Sequence, residues 1–216
     1  MPATPIDADG LVRHLIATQG PERRLVAIAG PPGSGKSTLA EALHRRIEAL
    51  SPGLAQIVPM DGFHYDDMIL NARGERGRKG APFTFDVDGL FWALTRLKEG
   101  TEAVAVPVFD RSLEIARAGA AIIAPATRII LVEGNYLLLD DPQWARLRPL
   151  FDVTAMLRVP RAILIERLNQ RWRDLGYAEA DIRPKVDAND SLNVDLVLDG
   201  STPAQFEIDT AGALAG

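Results

Sequence analysis

The chain has 216 residues, 47% of them apolar, with 24 Lys and Arg against 29 Asp and Glu and no Cys. A chain of this length buries about 70% of its unfolded surface and needs no staples, while the missing thiols exclude a disulfide scaffold, a thiolate metal site and a cysteine nucleophile. The net charge of -5 argues against a general nucleic-acid binder, and no stretch approaches the roughly 20 apolar residues of a membrane span, so a soluble, cytoplasmic protein with neither nucleic acid nor membrane as partner is expected.

Residues 1–21 read as an N-terminal helical segment. Leu25 to Ile28 then form a short continuous apolar run, the mark of a parallel strand buried on both faces. It ends in Gly30, Pro31, Pro32, Gly33. After Ser37, the spacing of Leu39, Leu43, Ile47 and Leu50 predicts a helix that Ser51, Pro52 and Gly53 stop. Gln56 to Met60 reads as a second strand, leading into Asp61, Gly62, Phe63, His64 and Tyr65. Asn71 to Pro82 is glycine-broken and basic, with Arg73, Arg76, Arg78 and Lys79, and reads as a mobile, positively charged loop. Asp88 is placed to cap a helix carrying Leu90, Phe91, Leu94 and Leu97, ended by Gly100.

Val104 to Val108 is the next strand candidate. Ala120 to Ala124 and Arg128 to Val132 are two further apolar runs, and the second delivers Glu133, Gly134 and Asn135 at its end. Val153 to Val159 reads as a strand, with Pro160 in the first turn of a helix bearing Ile163, Leu164, Ile165, Leu168 and Trp172. Val194 to Leu198 reads as a last core strand. Strands alternating with helices predict an α/β sandwich around a mostly parallel sheet.

Gly30 to Ser37 satisfies G-x-x-x-x-G-K-[ST] and sits after a buried strand and before a helix, where its mechanism requires. The glycines let backbone N–H groups turn inward around a phosphate, and the helix start adds positive potential. Lys36 then reaches the β- and γ-phosphates and the Ser37 hydroxyl ligates magnesium. A nucleoside triphosphate is expected here, with Gly30, Gly33, Ser34, Gly35, Lys36, Ser37 and Thr38 as its binding residues.

Asp61 follows an apolar run, so it should project from the carboxyl edge of the sheet beside the phosphate loop, where ligands of parallel sheets sit. A carboxylate there can accept the proton of an attacking hydroxyl; a solvent-facing Asp-Gly turn is the alternative. Glu133 stands at the same edge of a later strand, suited to water on magnesium or to an ordinary loop. His64 and Tyr65 read either as acceptor-pocket residues or as packed aromatics. Asn-Lys-x-Asp, which reads guanine in switch GTPases, does not occur, and the chain is too short for paired motor domains.

Gly30 to Thr38 (GPPGSGKST), Met60 to Tyr65 (MDGFHY), Gly80 to Asp86 (GAPFTFD), Pro107 to Arg111 (PVFDR) and Val132 to Leu138 (VEGNYLL) together resemble the uridine kinase, phosphoribulokinase and pantothenate kinase group of P-loop kinases. Within it the chain looks most like bacterial members labelled as fructose-transport-system kinases. The resemblance spans about residues 22 to 200. It implies a three-layer P-loop NTPase fold with a short helical lid, and ATP- and Mg2+-dependent phosphoryl transfer to a small-molecule hydroxyl. Asp61 then corresponds to the base, Lys36 and Ser37 to the phosphate and metal residues, and Glu133 to the acidic partner of the metal. Arg111 and Asn135, in the matching motifs, join His64 and Tyr65 as acceptor-binding residues.

The family's arginine-rich lid matches Arg167 to Asp174, and the lid is expected over about 167–183 of a single domain at 1–216. Arg167 and Arg171, four apart, fall on one helix face, where they would neutralise transition-state charge or form a solvated basic face. Uridine kinases place Tyr directly after the Phe of this motif, whereas this chain has His64 first. That departure argues against a nucleoside, and the resemblance implies a sugar such as fructose as acceptor; rivals are a nucleoside or a pantothenate-like molecule, or, in another class, a regulatory nucleotide-binding ATPase. A homodimer stays open.

Overall fold

The computed structural model describes residues 2–209; residue 1 and residues 210–216 of the expected domain lie outside the described residues. In chain order the strands are β1 (Thr4–Pro5), β2 (Arg24–Ala29), β3 (Ala55–Pro59), β4 (Val104–Asp110), β5 (Ile115–Ile123), β6 (Ile129–Gly134), β7 (Val153–Arg158) and β8 (Phe206–Asp209). The α-helices are α1 (Ala8–Ala17), α2 (Lys36–Leu50), α3 (Asp67–Arg73), α4 (Val87–Glu99), α5 (Arg161–Asp174), α6 (Glu179–Lys185) and α7 (Ser191–Gly200).

Six strands form one parallel sheet in the order β1-β8-β7-β2-β6-β3. In β2 every residue from Leu25 to Ala29 is fully buried, because both faces of the sheet are covered. Val26 and Ile28 pack with Leu11 and Leu15 of α1 and with Leu39, Leu43 and Ile47 of α2. Leu25, Ala27 and Ala29 point the other way, into a core with Leu90, Leu94 and Leu97 of α4. Successive strand side chains alternate faces, so the continuous apolar run feeds two cores and produces a three-layer α/β sandwich.

The expected strands at Val104 to Val108 and Ala120 to Ala124 exist, but outside the main sheet. β4 and β5 pair antiparallel as a separate hairpin. Residues 191–200, expected to hold a strand at Val194 to Leu198, form helix α7, with Asn193, Val194 and Val197 buried at helical spacing. The last strand is β8, a few residues later, which pairs with β7 and β1.

Asp86, not Asp88, caps α4: its carboxylate accepts from Gly89 N at 2.9 Å, while Asp88 pairs with Arg146. The basic stretch is not an open loop either. Helix α3 runs to Arg73, a 3-10 turn spans Arg76–Arg78, and the cations have partners. Lys79 and Arg76 each bond Asp67 at 2.6 Å, and Arg78 donates to Asn189 Oδ1 at 3.0 Å. No helix of the described residues is long and apolar enough to cross a membrane.

Candidate functional site

Gly33 and Gly35 lie between β2 and α2 at φ 79° and 89°, the left-handed region that glycine enters without a steric penalty. A Cβ on Gly33 would meet Leu164 O and Leu168 Cγ of α5, each at 3.3 Å, so the loop also needs glycine to lie under that helix. Gly35 is the N-cap of α2 and supplies no side-chain cap, and no acidic residue stands in the first turn. The amide groups and positive end of a 15-residue helix are therefore left for an anionic ligand, with Lys36, Ser37 and Thr38 around them.

The sheet order decides what stands next to this loop. β6 lies between β2 and β3, with Glu133 in register with Ile28 on one side and Pro59 on the other. Three chain segments thus reach the same carboxyl edge side by side: the phosphate loop after β2, Glu133 at the end of β6 and Asp61 after β3. Asp61 is two strands from the loop, with Glu133 between them, where adjacency of the first two core strands would have put it one strand away.

Glu133 is only 5% exposed and accepts from Ser37 Oγ at 3.1 Å. Burial pushes its carboxyl up, and the Asp61 charge adds to this, against the pull of Lys36 and the Ser37 hydrogen bond. Gly134 keeps the strand end in place. A Cβ there would come within 2.5 Å of Met60 Cβ.

Asp61 sits in a 3-10 turn spanning Met60–Phe63. The Asp-Gly pair is not a solvent turn: Gly62 is buried, and a Cβ on it would lie 2.4 Å from the Pro107 carbonyl oxygen of β4. The glycine lets the turn lie against the hairpin. Asp61 Oδ2 accepts from Arg111 Nη2 at 2.6 Å, with 19% of the Asp61 side chain and 55% of the Arg111 side chain exposed. Burial pushes the Asp61 carboxyl up, but the charges of His64, Lys36 and Arg111 and the Arg111 hydrogen bond outweigh it and hold it below the usual carboxylate range.

His64 joins the site through its ring nitrogen Nδ1, 2.7 Å from Asp61 O, and its ring lies between Phe85 at 4.0 Å and Phe109 at 4.9 Å. Burial, with Lys79 and Arg111 adding, lowers its pKa against the pull of Asp61. Tyr65 is turned elsewhere, under the Arg73 guanidinium at 4.6 Å from its ring centroid. Asn135 follows β6 directly, and its Oδ1 is buried without a hydrogen-bond partner among the described residues.

Of the expected lid residues, Arg167 reaches the loop, donating from Nη1 to Gly33 O at 3.3 Å and Ser34 O at 3.5 Å. Arg171, a turn further on, does not; the charge it faces is Asp190, which also accepts from Trp172 Nε1 at 2.6 Å.

Phe85 and Phe109 belong to the site's surroundings without having been given a role, and Lys79 of the basic stretch and Asn189 stand with them. Lys79 Nζ bonds Asp67 and Glu114 O with 9% of the side chain exposed, and Asn189 Nδ2 donates to Lys79 O at 3.0 Å. Their sequence signal is slight, since each is one residue of a common type whose role depends on a partner tens of residues away.

Among the described residues no three His, Asp or Glu side chains gather as a cage able to hold a metal by themselves. The donors present are the Ser37 hydroxyl and the Glu133 carboxylate, hydrogen-bonded to each other. That set fits Mg2+, which keeps several waters and takes its other oxygens from substrate phosphates.

The profile of the family described as "Phosphoribulokinase / Uridine kinase family" matches residues 25–186. A Schizosaccharomyces pombe protein named "Putative uridine kinase C227.14" is 36% identical over 185 residues, covering 82% of this chain and 78% of its own. YggC of Escherichia coli K12 is 36% identical over 204 residues, 91% of this chain and 83% of its own. Among solved structures, one described as "putative fructose transport system kinase" from Silicibacter sp. TM1040 is 41% identical and superposes with a TM-score of 0.87, covering 94% of this chain and 98% of that one.

Proposed function

The chain belongs to the phosphoribulokinase / uridine kinase family, a P-loop small-molecule kinase and phosphotransferase with an alcohol acceptor; from that premise we propose that it uses ATP and Mg2+ to phosphorylate a sugar-like hydroxyl compound, with Asp61 as the base. The observation that carries the reading is the convergence of Lys36, Ser37, Glu133 and Asp61 at one sheet edge. In this reading the acceptor hydroxyl gives its proton to Asp61 while its oxygen bonds the γ-phosphorus, and the bond to the β-bridging oxygen breaks to release ADP.

Lys36 and the first-turn amides of α2 hold the phosphates. Arg167 steadies the loop through the carbonyls of Gly33 and Ser34. Ser37 and Glu133 would hold the metal, which supplies charge neutralisation at the phosphate oxygens when bound. His64, packed at a tilt against Phe85 and Phe109, orients the Asp61 turn and lines the acceptor side. A sugar is favoured over a nucleoside by His64 directly after Phe63 and by the description of the Silicibacter relative. The cysteine-free composition and the use of ATP support a cytoplasmic setting.

The test is ADP release measured with fructose, other hexoses, uridine, cytidine, pantothenate and ribulose 5-phosphate. Strong stimulation by one acceptor, lost in Asp61→Asn with ATP binding kept, is the expected result. Slow ATP turnover indifferent to every acceptor would point instead to a regulatory ATPase.

A further inference from the structure

We propose that the acceptor carries an anionic group next to the hydroxyl that is phosphorylated, and that Arg111 reads it. This deepens the kinase reading above and rests on it. The acceptor hydroxyl must reach the Asp61 carboxylate. Asp61 Oδ2 is already bonded to Arg111 Nη2 at 2.6 Å, so a hydroxyl that meets Asp61 lies directly against the guanidinium. A guanidinium has five N–H donors, and among the described residues Arg111 spends one hydrogen bond, on Asp61. The side chain is 55% exposed, so its remaining donors are open to solvent or to a bound molecule.

Seating a molecule there strips water from those donors. A donor left unpaired weakens binding, whereas a carboxylate or phosphate meets two of them at once in the planar fork. The charges point the same way. Among the described residues Arg111 is ion-paired with Asp61, while Glu133 is hydrogen-bonded to Ser37 and Asp67 is paired with Arg76 and Lys79.

Arg111 is also held ready rather than carried on a loose surface turn. Residue 110 braces the turn at one end, its Oδ1 accepting from Ser112 Oγ at 2.6 Å and from Ser112 N at 3.1 Å. At the other end Glu114 has φ 57° and its carbonyl accepts from the nearly buried Lys79 Nζ at 2.8 Å. A turn braced at one end by Asp110 of β4, the strand against which the Asp61 turn packs, and at the other by Lys79 presents its arginine beside the base, and such preorganisation raises affinity by lowering the ordering cost of binding.

The experiment compares acceptors in neutral and anionic pairs: sorbitol with gluconate and glycerol with glycerate for carboxylate, fructose with fructose 6-phosphate and ribose with ribose 5-phosphate for phosphate. ADP release is measured for the natural chain, Arg111→Gln and Arg111→Lys. One anionic member should exceed its neutral partner at least tenfold in kcat/KM. Its KM should rise about 10- to 100-fold in Arg111→Gln, the size expected for losing a charged bidentate contact, with partial recovery in Arg111→Lys. Which arm responds tells carboxylate from phosphate. A neutral member equal to or better than its anion, or a KM unmoved in Arg111→Gln, overturns the inference and leaves the kinase reading intact. ADP release indifferent to all eight acceptors and to those of the wider panel overturns both.

Discussion

Ser37 Oγ donates to Glu133 Oε2 at 3.1 Å, joining the start of α2 to the end of β6 at the point where the sheet meets the phosphate loop. This bond pairs the two side chains whose oxygens suit Mg2+, and removing either should raise the Mg2+ requirement. Ser37→Ala and Glu133→Gln are each expected to weaken apparent Mg2+ affinity about 10- to 100-fold, read from Mg2+ titration of ADP release. An unchanged titration in both variants would remove the pair from the metal site.

Asp61→Asn keeps size and hydrogen bonding but cannot accept the hydroxyl proton. Turnover should fall by about 10²–10⁴, with ATP affinity, measured by calorimetry, within a few-fold of the natural chain. A loss confined to ATP affinity would make Asp61 a binding residue.

The acid limb of activity should follow the Asp61 carboxyl. Burial pushes it up, yet the cations around it and the Arg111 bond hold it lower than usual, so the ionised base is present above that lowered pKa. Acceptor-dependent kcat/KM should therefore persist through the ordinary carboxylate range and fail only as the pH drops below it. In Arg111→Gln burial acts with less opposition, and the acid limb should move to higher pH. A limb that stays put would mean another group sets it.

Arg167 and Arg171 should separate kinetically. Arg167 bonds two carbonyls of the phosphate loop, so Arg167→Ala is expected to weaken ATP binding as well as turnover. Arg171 faces Asp190 and does not reach the loop; Arg171→Ala should depress turnover far more than ATP affinity if it joins the transition state. Equal loss of both in Arg171→Ala would count against a lid role.

Gly62 lies against β4 so closely that a Cβ would sit 2.4 Å from Pro107 O. Gly62→Ala must push the turn and hairpin apart, at a cost of about 1–3 kcal/mol, seen as a lower unfolding midpoint. Because the same turn carries Asp61 and the hairpin carries Arg111, kcat should fall too. A stable, fully active variant would show that the close approach does not position the base.

Much of the site was legible because its signals are local. The phosphate loop needs glycines at left-handed φ, a lysine and a hydroxyl within eight residues of one another, and Asp61 and Glu133 each follow a short apolar run that ends at the sheet edge. The errors were also local in origin. Val194 to Leu198 is apolar enough for a strand, but Asn193, Val194 and Val197 are buried at helical spacing, and the strand that pairs with β7 is Phe206–Asp209. Asp86 and Asp88 are equivalent cap candidates until the chain shows which carboxylate meets Gly89 N.

By itself, then, the sequence determined the phosphate loop, the two strand-end acids and the layered α/β class, since backbone sterics and side-chain periodicity act over a few residues. Only the tertiary structure decided that β6 separates β2 from β3, that Arg111 clamps Asp61 across 50 residues of chain and that Arg167, rather than Arg171, touches the loop. Strands buried on both faces look alike in sequence. Their order is chosen by long-range packing, and the partners of a charged side chain are chosen with it.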